Sequence, residues 1–374
     1  MAKMNDVVIL GGTVAGYAAA CQLLTIDPSL DVVVVTGPVQ AIECPLSDWL
    51  PKSFFKASFF PKTFPTKCGA TAFKKVCYHN KDLSKQMDQS FRSPAGWVVD
   101  TPKLVKSMHD LGKKMGMKVR KTTTAPAIKQ LEDSVEVIGS SQVKASFLIV
   151  ATDRPEDVIA ELSLPVRNVP RASLMVAGLD IPLSSKSALP KLRQQFHVVE
   201  MPERSEMGIF FIHSDTIHLR VISSSTATGN RAAELSGMLS ALQQDEILPA
   251  DLRLSKARGA VWHPPAGVAL ELEVHVAKRC ILAGSAGGFA ESVTGHTPMP
   301  SLQSAMLAAD VIAKAGKSDS PQDVLMSFKT LWRKKLADYL RPPNTSLHML
   351  LPLLFANRRI VSRFTGALLY GESI

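Results

Sequence analysis

No stretch of the chain approaches the roughly 18 consecutive apolar residues that a membrane-spanning helix requires; the best, Met349 to Ala356, is short and is interrupted by Pro352. A bilayer-crossing protein is therefore excluded. Cysteine is scarce and scattered: Cys21, Cys44, Cys68, Cys77 and Cys280 are an odd number at irregular spacings with no CxxC pair. That argues against a disulfide framework and a structural zinc site, so reduced thiols and no metal are expected. Twenty-two glycines and 24 prolines in 374 residues fall far below the roughly 25 to 30% of low-complexity chains. No repeat of solenoid type is present. The first strand pattern, Val7 to Leu10, starts without a basic segment and cleavage site before it, so no secretory signal is read and a cytoplasmic location is expected. What is abundant is core-forming residue: 46% hydrophobic against 20% charged suffices for two domains or one elaborate one.

The formal net charge of +10 is concentrated. Between Pro51 and Ala125 there are 16 Lys or Arg against four Asp, and the remainder is nearly neutral. Such a field attracts phosphate-rich cofactors, anionic substrates, acidic partners, membrane surfaces and nucleic acid alike, and a solvated basic face explains it equally. No zinc-finger spacing, helix-turn-helix signature or aromatic RNA-binding motif accompanies the charge, so nucleic acid is not expected as a partner.

Asp6 to Leu10 reads as a buried strand, Gly11-Gly12-Thr13-Val14-Ala15-Gly16 as a turn, Tyr17 to Leu24 as a small-residue helix and Asp31 to Val35 as a second strand. Strand, glycine turn, helix and strand within about thirty residues make the βαβ unit of a dinucleotide-binding fold, whose turn admits a diphosphate to the helix N-terminus. An irregular Pro-, Phe- and Lys-rich stretch follows to Arg92. Pro102 then opens a helix with Leu104, Met108, Leu111 and Met115 on its apolar face. Strands begin at Val119 and Ile128, Ser134 to Ile138 and Gln142 to Lys144 read as a hairpin, and Phe147 to Ala151 as a buried strand.

Beyond it, Phe196 to Met201, Met207 to His213, Thr216 to Ser223 and Val268 to Val276 read as strands of a mostly antiparallel sheet, with a helix at Arg231 to Gln243. Arg279 to Ala283 returns as an apolar strand. Helices are expected from Leu302 to Ala315, Gln322 to Leu340 and Leu347 to Tyr370. The expected class is α/β: a discontinuous Rossmann-like nucleotide-binding domain (1–155 and 279–316), an inserted sheet-containing substrate domain (156–278) and a C-terminal helical region (317–374).

The order of these pieces resembles the FAD-dependent oxidoreductases that include group A flavin monooxygenases, geranylgeranyl reductases and flavin-dependent halogenases. In that family an N-terminal G-x-G-x-x-G turn holds the FAD diphosphate, a sheet roofs the substrate, and a late G-D-A-A-G-F type motif with its following helix reaches the ribityl chain and flavin. Gly11 to Gly16, Trp97 to Leu104, Phe147 to Arg154, the sheet region and Gly284 to Thr297 stand in those places in that order. The resemblance implies FAD as cofactor, held around Gly11, Gly12, Thr13, Ala15, Gly16, Thr36, Gly284, Ser285, Gly288, Gly295 and Thr297. It places His296 beside the flavin as the catalytic candidate, able to donate a hydrogen bond or move a proton. No second glycine-rich fingerprint for NAD(P)H is present, and the halogenase tryptophan motif and active-site lysine are not recognisable.

Four single positions depart from the family pattern, and His296-Thr297-Pro298 replaces the usual small or acidic continuation after the retained Thr294-Gly295. Thr13 replaces the second glycine, Thr36 the acidic residue after the second strand, Asp153 the glycine of the A-T-G or A-D-G turn and Ser285 the late aspartate. A hydrogen bond to a charged group is worth about 1.5 to 3 kcal/mol, so losing two or three weakens FAD by roughly two to five powers of ten. Main-chain N–H groups at the helix tip do not depend on these side chains. Two functions remain open: an FAD-dependent reductase or monooxygenase acting on an apolar or aromatic small molecule, and a scaffold or binding protein that keeps the fold without tight FAD. His263 and His79 are further candidates for substrate contact, and each is readable as structural. Lys329 to Arg363 carries eight Lys or Arg against Asp338, beside Leu347, Leu350, Leu351, Leu354 and Phe355. That amphipathic stretch suits a membrane interface or a protein partner, or its leucines pack onto the nucleotide-binding domain.

Overall fold

The structure is a computed structural model that describes residues 4–37, 47–124, 126–153, 162, 164, 172–183, 189, 192–202, 206–226, 230–252, 254–341 and 347–372. Cys44 and Arg154, named above, lie outside those residues. Strands β1 (Asn5–Leu10) and β2 (Val32–Thr36) are apolar at every inner position, and both faces of their sheet are covered, as parallel strands require. Alternate side chains divide between two cores: Val7, Ile9, Val32 and Val34 face helices, while Val8, Leu10, Val33 and Val35 face the other side. β1 lies between β2 and β11 (Gln142–Val150), parallel to both, with Val7 opposite Val32 and Phe147. The sheet continues through β18 (Cys280–Leu282) to the short β17 (Val276–Ala277), and on the far side to β8 (Lys118–Lys121). The hairpin β9 (Ala127–Gln130) and β10 (Val135–Ile138) pairs antiparallel along β11.

Helix α1 (Val14–Ile26) leaves β1 through the glycine turn, and its alanines let it pack closely against α4 (Pro298–Ala315). α2 (Thr101–Lys114), capped by Asp100 and opened by Pro102, packs beside it.

The second sheet has the order β16 (Arg258–Trp262), β12 (Leu174–Pro182), β15 (Thr216–Ser224), β14 (Met207–His213), β13 (Gln195–Glu200), β5 (Lys75–His79) and β6 (Gln86–Ser90). All neighbours are antiparallel except β13 and β5. Part of the stretch that looks irregular in sequence thus supplies two strands, β5 and β6, to the second sheet. Helix α3 (Arg231–Gln244) covers the outer face through Leu235, Met238, Leu239 and Leu242. A small sheet, β3 (Ser47–Pro51), β7 (Gly96–Asp100) and β4 (Thr71–Phe73), faces the inner side.

Two expectations change. Val268 to Val276 is not a strand: Gly267, at φ +81°, starts a helical turn over Val268–Glu271, and Leu272 N–H closes it on the Val268 carbonyl. The pattern from Leu347 to Tyr370 is not one helix either. Pro352 brings a 3₁₀ turn over Leu351–Phe355, and Asn357 caps a new helix, α6 (Arg358–Tyr370), which follows α5 (Pro321–Leu340) in the chain. Leu347, Leu351 and Leu354 are buried, but in the core beneath the second sheet with Tyr78, Phe196 and Phe364 rather than against the helices of the parallel sheet. Among the described residues no helix is long and apolar enough to cross a membrane.

Candidate functional site

A cavity of about 220 Å³ opens between the tip of α1, the loop entering α4, β3 and the inner face of the second sheet. At the α1 tip, Gly11 sits at φ +123°, where a Cβ would stand 2.3 Å from the Ala151 carbonyl oxygen, so only glycine fits. Thr13 is the N-cap. Its hydroxyl donates to the Ala151 carbonyl at 2.7 Å and accepts the Gly16 N–H at 3.2 Å, tying the helix to the end of β11. Among the described residues no acceptor meets the N–H groups of Gly12, Thr13 and Val14, all three of which line the cavity. Asp153 also lines it, and burial pushes its carboxyl up to about 6.

The second polar edge is the loop before α4. Glu291 accepts the N–H groups of Val293 and Thr294 and the Thr294 hydroxyl, which fixes the loop. Gly295 sits at φ +71°, and its N–H donates to the Glu291 carbonyl. Helix α4 then offers few donors: Pro298 and Pro300 have no N–H, and that of Met299 donates to His296 Nε2 at 3.3 Å. Thr297 N–H has no acceptor among the described residues.

His296 is buried and stacks on Trp49, with ring centroids 4.2 Å apart. Burial pushes its pKa down to about 3, so the ring is neutral at pH 7. Because Nε2 accepts from Met299, the ring proton belongs on Nδ1, which stands 4.0 Å from Asp48 Oδ1. Burial pushes Asp48 up to about 7, against the pull of the Trp49 N–H and the Arg220 charge.

The sheet side is apolar through Val176, Ile209, Phe211, Ile222 and Trp262, with one cation among them. Arg220 lies opposite Gly178 in the β12–β15 register and opposite Ile209 in β14. Its Nη1 donates to Asp180 Oδ1 at 2.8 Å, and its guanidinium lies 5.4 Å from the Trp262 ring centroid. His218 Nδ1 donates to the same Asp180 oxygen at 2.8 Å. Burial opposes the charge on Asp180, yet the His218 hydrogen bond and the Arg220 charge hold its pKa below the ordinary value.

Of the residues singled out in the sequence, Gly12, Thr13, Ser285, Gly295, His296, Thr297 and His263 line this cavity together. Gly11, Ala15, Gly16, Thr36, Gly284 and Gly288 do not. They act behind it: a Cβ on Gly16 would stand 1.9 Å from Gly11 O, one on Gly284 2.5 Å from the Ala15 Cβ, and one on Gly288 2.5 Å from Val268. The Thr36 methyl packs over Gly12. His79 does not reach the cavity; its Nε2 pairs with His197 Nδ1 at 3.0 Å within the sheet, so it is structural. Asp48, Trp49 and Arg220 escape a reading of the sequence. Arg220 carries a signal, since His218 and Arg220 alternate in an otherwise apolar strand; Asp48 and Trp49 carry none.

No protein-family model matches the chain, and no curated protein matches it. Solved structures do. A geranylgeranyl bacteriochlorophyll reductase-like protein from Thermoplasma acidophilum superposes with a TM-score of 0.73 at 14% identity, covering 99% of this chain and 97% of that one. The flavin-dependent brominase Bmp2 superposes with a TM-score of 0.69 at 14% identity over 98% and 94% of the two chains. The tetracycline destructase Tet(51) superposes with a TM-score of 0.61 at 13% identity over 99% and 96%.

Proposed function

We propose, from a chain that has the fold of the FAD-dependent oxidoreductase superfamily, that it binds a flavin nucleotide and acts as an oxidoreductase on a small apolar or aromatic molecule. The observation that carries this reading is the set of N–H groups without acceptors among the described residues at the two helix tips that line the cavity: Gly12, Thr13 and Val14 at one and Thr297 at the other. The residues fit the cofactor at its diphosphate, where oriented amides and the helix dipole favour negative charge without any side chain. Ser285 replaces a carboxylate with a hydroxyl that still lines the cavity.

When bound, FAD supplies the redox chemistry, and the chain contributes orientation, exclusion of water and proton handling. In this reading Thr297 N–H would meet the flavin end, His296 would present a neutral ring with its proton on Nδ1, 4.0 Å from Asp48 Oδ1, and Asp48 would hold or release a proton near neutrality. Val176, Ile209, Phe211, Ile222 and Trp262 would exclude water from the substrate. A flavin titration of the purified protein tests the assignment. Yellow protein, or micromolar or tighter affinity for added FAD, is the expected result.

A second reading is favoured by particular groups: the Thr13 side chain at the position of the second glycine, the buried Asp153 carboxyl, and two prolines that strip donors from α4. In that reading the protein is a scaffold or binding protein that has lost tight FAD binding. Absence of FAD binding by the native chain, together with its recovery in a Thr13→Gly, Ser285→Asp double variant, would establish the second reading over the first.

A further inference from the structure

The seven-stranded sheet presents a single guanidinium to the cavity, and part of it has nothing to bind. Arg220 is 6% exposed, yet its Nη2 has no hydrogen-bond partner among the described residues. A buried donor left open costs free energy that a ligand acceptor recovers. The surroundings are built to hold this side chain flat on the sheet. A Cβ at Gly178 would lie 2.9 Å from Arg220 Nη1 and 2.9 Å from the Trp262 ring, so the glycine in β12 clears the seat. Asp180 secures one edge through Nη1, the Leu219 carbonyl accepts from the same nitrogen, and Trp262 supports the plane.

We propose that the Arg220 guanidinium is the anchor for a carboxylate, and that the ligand of this cavity is a planar acid whose body rests on Ile209, Phe211, Ile222 and Trp262. The inference refines the substrate class of the proposed function: it rests on the reading of this cavity as the ligand site, not on the presence of flavin. Arginine stays charged at every working pH. The carboxylate in direct contact with it, Asp180, is shared with His218 through a single oxygen. The two carboxyls on the cavity wall, Asp48 and Asp153, are both displaced by burial toward their neutral forms, which leaves room for the charge of a ligand. The remaining sheet wall is aliphatic or aromatic, so selectivity falls to the one charged contact. The chain's net charge of +10 favours approach of an anion.

Calorimetric titration of the full chain with benzoate and with benzamide, similar in shape but one anionic and the other neutral, tests the anchor. The titrations are run at about pH 5.5, where benzoate is ionised and Asp48 mostly is not, both without and with FAD. Benzoate is expected to bind at least about tenfold more tightly than benzamide, as a charge-assisted hydrogen bond implies. In an Arg220→Gln, Asp180→Asn double variant, which removes both partners of the buried pair and strands neither charge, the preference is expected to fall to within about twofold. The native comparison stands by itself if that variant does not fold, as judged by circular dichroism. Equal affinities, tighter benzamide binding, no binding of either probe, or a preference that survives in the folded double variant would each overturn the proposal. Benzoate binding without any FAD binding would instead sink the flavin reading and leave the anchor standing.

Discussion

Thr13 uses one hydroxyl to cap α1 and to tie the helix to β11. Thr13→Gly removes both bonds and is expected to lower stability by about 1 kcal/mol, while tightening FAD by clearing the approach to the helix tip. Urea unfolding and flavin titration of the same variant measure the two effects, and an unchanged affinity would show that the side chain does not crowd the site. Asp48 makes a pH prediction. Its carboxyl is raised in the folded chain from the model-compound value of 3.8 to about 7, so its contribution to stability is fully present below pH 3.8 and is lost as pH rises through 7. Relative to the native protein, Asp48→Asn should therefore gain stability between about pH 4 and pH 7.5, read as a difference in melting temperature at the two ends. A difference that stays constant across that range would remove the assignment. At this scale the sequence displays the glycines, because a strand, a turn and a helix are contiguous. It hides Asp48, whose strand partner Val99 and cavity neighbours Arg220 and His296 are far from it in the chain.

Among the elements, α1 depends on contacts that leave no room for a methyl group. Gly16→Ala would set a Cβ 1.9 Å from a backbone oxygen that cannot rotate away. A loss of about 1 to 3 kcal/mol is expected, and with it the alignment of the α1 tip, so thermal stability and FAD affinity should fall together. The C-terminal segment offers the opposite test. Leu354 is fully buried beneath the second sheet, and Leu354→Ala should cost about 2 to 5 kcal/mol in chemical denaturation; a neutral result would mean that the segment does not pack there in solution. The apolar repeat from Leu347 to Tyr370 is visible in the sequence, but its partner is not, because an amphipathic pattern reports a buried face without naming the surface that buries it. Strand β12 and the pair β5 and β6 escaped for a related reason. β6 is half-exposed and polar, and Gly178, Asp180 and Pro182 interrupt the apolar run of β12 after Ala177.

Across the whole molecule the chain returns repeatedly to the same core. The cluster beneath the second sheet joins Trp49, Val98, Phe196, Ile222, Val293 and Phe364, drawn from nearly every third of the sequence. Segments interleaved in this way should unfold together, so tryptophan fluorescence and far-ultraviolet circular dichroism are expected to give coincident transitions; two resolved steps would contradict a shared core. The apolar strands β1 and β2, the glycine turn and the small-residue helix were determined by the sequence alone, because each depends on side-chain periodicity and backbone sterics over a few neighbouring residues. Only the tertiary structure decided the cavity. Gly178, Asp180, Arg220 and Trp262 meet through the register of three strands, and Trp49 reaches His296 from 247 positions away. Such meetings follow from how sheets pair and pack, a long-range property that local pattern does not carry.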